Sequence, residues 1–154
     1  MSEQTPLDPT VLRIERTFNA PVHAVFDAWT SVEVLRRWWP AGADWDTPSA
    51  EVDLRIGGAL RVVMRSPDGE EFGGGGEFVE ITRPLRLVFT WTWDEHVGYE
   101  GSQLVEVDFI EHSDGTTTVV LTNRGLRDDK SRRDHEEGWQ ASFDNLDLVF
   151  ISRP

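Results

Sequence analysis

The sequence predicts an α+β fold in which one curved antiparallel sheet wraps around a long C-terminal helix. Three observations predict it. Short alternating segments from Val52 to Asn123 are separated by turn residues, which makes consecutive hairpins and hence an antiparallel sheet. Trp139, Phe143, Leu146 and Phe150 then repeat at i, i+4, i+7 and i+11, the spacing of one helix face. Only one strand and two short helical segments precede the hairpins.

Taken in order, residues 1–9 read as a flexible tail that ends at Pro9, and one domain spans residues 10–154. Leu12, Ile14 and Phe18 lie on one face of a first strand. Arg16 shares that face. It is either a charge at the sheet rim or an inward group that needs a carboxylate partner. Pro21 suits the first position of a helix whose apolar stripe is Val22, Val25, Phe26 and Trp29. Thr30 and Glu33 have capping-box spacing, which would end this helix and start a second. That second helix carries Leu35, Trp38 and Trp39, points Arg36 and Arg37 outward, and stops at Pro40 and Gly42.

The strands follow. Val52 and Leu54 alternate with charged residues before a turn at Gly57-Gly58. Leu60, Val62 and Met64 share the next face, and Pro67-Asp68-Gly69 turns the chain again. Phe78, Val79 and Ile81 form a strand after the glycine run 73–76, and Arg83-Pro84 is another turn. Leu87, Phe89, Trp91 and Trp93 share one face. Residues 94–102 are an acidic loop. Val105, Val107 and Phe109 continue, then Ser113-Asp114-Gly115 turns into Val119, Leu121 and Asn123. Asp129 or Ser131 can cap the last helix. His135 sits one turn before Trp139. Gly138 in the helix interior costs about 1 kcal/mol relative to Ala, so it is expected to serve a close approach.

Composition narrows the function. The chain has 154 residues, enough to bury a core without a staple, and no cysteine. Disulfides, thiol nucleophiles and Cys-ligated metals are thereby excluded. A net charge of -13 makes nucleic acid and anionic membrane poor partners. No apolar run approaches the roughly 18 residues of a membrane span, and no signal peptide is evident. The expectation is a cytoplasmic protein.

The motifs of catalysis are poor. His135-Glu136-Glu137-Gly138-Trp139 begins like a zincin motif, but Trp139 stands where the second His is required. The four histidines are scattered, so no metal and no cofactor are expected. The glycine run lacks a following Lys-Ser/Thr and reads as a bulged or flexible strand, not a P-loop. No nucleophile elbow occurs, and no catalytic residue is assigned.

Ordered blocks carry a family resemblance. They are Arg16-Thr17-Phe18-Asn19-Ala20-Pro21, Val25-Phe26-Asp27-Ala28-Trp29-Thr30, Trp38-Trp39-Pro40, Asp53-Leu54-Arg55-Ile56-Gly57-Gly58, Pro67-Asp68-Gly69, Glu80-Ile81, Leu87-Val88-Phe89-Thr90-Trp91 and His135-Glu136-Glu137-Gly138-Trp139. With them the chain resembles the activator-of-heat-shock-protein-90-ATPase homologues of the START-related SRPBCC superfamily, over roughly residues 11–150. Ser31-Val32 stands where Asp-Pro is common in that family, and Asn123 where His is common. The resemblance implies the helix-grip (START-like) fold.

It also frames three functions. The first is a binding protein with a cavity for a small apolar or aromatic ligand. The second is a co-chaperone acting on heat-shock protein 90 in the stress response. The eukaryotic activators carry a further N-terminal domain for which this length leaves no room. The third is a cyclase- or dehydratase-type enzyme, as in other SRPBCC branches. In the first reading, Trp139 and Phe143 form a roof, Phe89 and Trp91 a floor, and Phe26, Trp38 and Trp39 an end wall, with Trp29 and Trp93 also facing the cavity. His135 and Asn123 are the polar groups expected to orient the guest. An exposed strand edge suggests a homodimer.

Overall fold

The computed structural model describes residues 8–40 and 42–151. Residues 1–7 of the expected tail lie outside them. Asp8 and Pro9 lead directly into the first strand, because the Asp8 carboxylate accepts a bond from the Thr10 amide at 2.9 Å. The elements are β1 (Val11–Phe18), α1 (Val22–Thr30), α2 (Val32–Trp38), β2 (Asp46–Val52), β3 (Ala59–Arg65), β4 (Glu71–Thr82), β5 (Arg86–Trp93), β6 (Gln103–Glu111), β7 (Thr117–Arg124) and α3 (Asp129–Ile151). All strand pairs are antiparallel, in one sheet of order β1-β7-β6-β5-β4-β3-β2. The sheet is curved, and α3 packs against β1 and α2. The helix-grip architecture is therefore observed. No helix among the described residues is long and apolar enough to cross a membrane.

Hairpin chemistry explains the sheet. Gly57, Gly69 and Gly115 each have positive φ at the tip of a turn, a conformation glycine adopts without steric cost. The second strand lies earlier than its alternation suggests. It occupies Asp46–Val52, while Asp53 to Gly58 form the turn, closed by the Asp53 amide on the Ala59 carbonyl at 2.8 Å. Half-buried Leu54 falls within that turn.

The expected capping box between the short helices does not form. Ser31 joins them without a side-chain cap, and the Thr30 hydroxyl turns back to the Phe26 carbonyl at 3.4 Å. A threonine in a last helical turn has that carbonyl within reach, so local back-bonding wins. At the start of α3 the cap is Asp128, one residue before Asp129 and three before Ser131; its carboxylate accepts from the Ser131 amide at 2.9 Å.

Arg16 takes the inward alternative. It bonds Asp144 at 2.8 Å, Asp147 at 3.0 Å and Gln140 at 2.7 Å, all on α3. A half-buried guanidinium is thus satisfied by helix carboxylates, and β1 is tied to the helix. Phe18 packs edge-on against Phe143 and Phe150 beside this cluster.

The glycine run lies inside β4, not before it. Its lack of side chains is what lets the neighbouring strand fold its indole down. A Cβ at Gly74 would stand 2.6 Å from the Trp91 ring. Gly74→Ala should therefore force Trp91 off the strand and destabilise the protein by about 1–3 kcal/mol. A urea titration should show a lower midpoint at unchanged slope.

Candidate functional site

The long helix and the sheet do not meet everywhere. Over part of the layer the space is filled. Phe26 packs on Phe109 at 5.4 Å, Trp29 on Trp38 at 4.6 Å, and Phe89 on Phe78 at 6.3 Å. Phe143 is fully buried among Phe18, Trp29 and Trp139. Toward the loop after β5 a hollow of about 210 Å³ remains.

Six of the expected residues line this hollow: Trp39, Trp91, Trp93, Asn123, His135 and Trp139. The other five, Phe26, Trp29, Trp38, Phe89 and Phe143, belong to the closed core beside it. The side chains of α1 and α2 drop into the sheet's concavity and fill that half, so these rings meet one another and face no open space. Trp39 stays at the boundary because α3 grips the end of α2. The Ser142 hydroxyl donates to the Trp39 carbonyl at 2.6 Å, and the Asn145 amide to Pro40 at 2.9 Å. Those carbonyls lack partners within their own helix.

Several wall residues were not anticipated. Met64, Phe72 and Gln103 continue inward rows at period two, a signal present in the sequence. Trp45 stacks on Phe72 at 5.4 Å, and Val97 and Tyr99 come from the irregular loop, where no periodicity points inward. Gly138 also lines the hollow. A Cβ there would meet nothing within 4 Å, so this glycine leaves space open and serves no close approach.

The polar groups form one directed relay. The Trp139 indole N–H donates to Asn123 Oδ1 at 3.0 Å, and Asn123 Nδ2 donates to Gln103 Oε1 at 3.0 Å. Gln103 Nε2 and the Trp93 indole N–H both point at His135 Nε2, at 3.3 and 3.0 Å. His135 Nδ1 faces the Ser131 carbonyl at 2.7 Å. A carbonyl only accepts and an indole only donates, so the proton sits on Nδ1 and the lone pair on Nε2. Burial lowers the His135 pKa from its ordinary value of 6.5, opposed by the Ser131 bond and by Asp134. The imidazole is neutral at pH 7, and its lone pair is already taken by two donors. It is a fixed part of the wall, since a general base needs a lone pair within reach of its substrate.

At the mouth, Tyr99 donates to the Asp134 carboxylate at 3.0 Å, and its ring stands edge-on to His135 at 4.8 Å. Burial, with the Asp134 carboxylate, pushes the Tyr99 hydroxyl up to about 12, so it remains a donor. Among the described residues no cluster of three or more metal-ligating side chains occurs.

Residues 19–150 match the family described as Activator of Hsp90 ATPase homolog 1-like protein. The chain belongs to that family. Solved structures support the same fold for this chain. A protein from Chromobacterium violaceum is 23% identical, with a TM-score of 0.85, over 95% of this chain and 100% of its own. The AHSA1 protein from Silicibacter pomeroyi is 28% identical, with a TM-score of 0.78, over 92% of this chain and 97% of its own. One from Nitrosomonas europaea is 26% identical, with a TM-score of 0.76, over 93% and 96%. Comparison with curated proteins returned no match.

The relay gives the fold a pH dependence. The His135 pKa is lower in the folded chain than the ordinary 6.5, so the unfolded chain binds more protons between those two values. Stability should be full above that window and fall as pH drops through it. His135→Gln, which keeps an acceptor toward Trp93, should flatten the slope. Urea midpoints measured from pH 7.5 to 5 check this.

Proposed function

We propose that this single domain, residues 10–154, binds a small apolar or aromatic molecule in the hollow between α3 and the sheet. The hollow itself carries the reading. It is a concave space of about 210 Å³, walled mostly by aromatic rings and open at one mouth, which is the form small-molecule sites take. A dry apolar cavity of ~150 Å³ is known to accept benzene. Ligand pockets for drug-sized molecules begin near ~300 Å³. The guest that fits is therefore one ring or two fused rings, and a sterol is too large.

The walls suit such a guest. Indoles offer large flat areas with few rotors to freeze. The relay leaves His135, Gln103 and Asn123 bonded to one another, so an apolar ring covers these groups without stripping them of partners. The family description supports a second reading, an interaction with the heat-shock protein 90 chaperone. A steady-state ATPase assay with that chaperone tests it.

Gly138 gives a clean test of the first reading. Leu in its place should fill the hollow while improving helix propensity by up to about 1 kcal/mol. By isothermal titration calorimetry with indole and 1-naphthol, the native chain should bind and Gly138→Leu should lose at least about tenfold in affinity, a loss of ~1.4 kcal/mol. Its melting temperature should be equal or higher. A native chain that binds neither probe, or a variant that binds as well as the native chain, refutes the reading.

A further inference from the structure

We propose that the guest of this hollow is a small organic cation, an aromatic ring carrying an ammonium group, with the ring among the indoles and the charge at the mouth beside Asp134. This rests on the hollow being a binding site and specifies its ligand.

The charge carried by the lining side chains is negative. Among the described residues, Asp134 is the one carboxylate that lines the hollow, and neither Lys nor Arg does. His135 adds no positive charge, being neutral at pH 7. A fatty acid or an aryl carboxylate would bring a second negative charge beside Asp134 in a partly dry site, where Lys130 is already paired with Asp134, which is costly. An ammonium reverses that sign.

Asp134 has capacity for such a guest. Tyr99 and Lys130 both bond its Oδ2, at 3.0 and 2.9 Å, and among the described residues Oδ1 accepts no hydrogen bond. These two bonds hold the carboxyl below its ordinary value, that of Lys130 first, so it is ionised at neutral pH. The Lys130 side chain is 76% exposed, and so open an ion pair competes weakly.

The rings at this end complete the case. Trp93 stands 6.2 Å from Tyr99 and 5.2 Å from Trp91, centroid to centroid, and Trp45 lines the same hollow. Aromatic faces attract a cation within about 6 Å through the ring quadrupole, indoles most strongly. The net charge of -13 enriches cations near the protein and repels anions.

Three probes of matched shape test this by isothermal titration calorimetry: 3-phenylpropylammonium, 3-phenylpropanol and 3-phenylpropionate. The ammonium should bind about five- to tenfold tighter than the alcohol, and the carboxylate weaker than either. Asp134→Asn, which keeps an acceptor for Tyr99, should bring the ammonium down to the alcohol's affinity and leave the alcohol unchanged. Lys130→Ala should tighten the ammonium alone, and it serves as the deciding variant if Asp134→Asn melts early. If the alcohol binds but the ammonium binds no tighter, the cation assignment falls and the apolar reading stands. An ammonium preference that survives Asp134→Asn and ignores Lys130→Ala also overturns it. If none of the three binds while indole or 1-naphthol does, the cation assignment falls and the apolar reading stands; if those fail as well, both fall.

Discussion

The position of α3 relative to the sheet is the constraint on which the site depends, and a buried polar relay sets it. Trp139, Asn123, Gln103, His135 and Ser131 connect helix, β7, β6 and helix again in one donor-to-acceptor order. Apolar contact is nondirectional and would let the helix slide or turn on a surface of rings. A relay in which each amide has one workable orientation does not, because any slip leaves a buried donor or acceptor unpaired at a cost of about 1–3 kcal/mol. Arg16 fixes the helix's other side to β1 through Asp144, Asp147 and Gln140. Between these two anchorages, closed core and open hollow can share one layer.

Much of this was legible in the sequence, because its periodicities are strong. The 139/143/146/150 stripe and the alternation on β5, β6 and β7 report directly on which faces are buried, and glycine turns divide the strands. The hollow was only half legible. Phe89 and Trp91 belong to the same inward row, yet one ring is closed in by Phe78 and the other meets open space. Periodicity states which face a ring is on, and it says nothing of what stands opposite. That depends on where α1 and α2 deliver their side chains. Tyr99 and Val97 were invisible for another reason, since an irregular loop has no period to read. The mismatches in detail were local: Thr30 found its own helix carbonyl closer than the next helix, and Asp128 capped α3 ahead of the two candidates after it.

Two glycine sites shape the hollow from opposite walls. On the sheet, Gly74 lets Trp91 settle against the strand. On the helix, Gly138 withholds a side chain where one would project inward. Both glycines forgo stability that a larger residue supplies, through propensity on the helix and strand packing on the sheet. Their effect is a space that neither wall fills.

The crowding of indoles has an optical consequence. Trp38, Trp39, Trp91 and Trp93 follow one another at centroid distances of 5.7, 5.4 and 5.2 Å, and Trp139 lies 5.4 Å from Trp39 and 5.8 Å from Trp29. At such spacing transition dipoles couple and excitation hops between rings far faster than it is emitted. These six chromophores act as a single antenna that drains to whichever ring lies lowest in energy. The near-ultraviolet circular dichroism of the chain therefore reports the mutual orientation of the whole array, and a shift of one ring is broadcast through all of them.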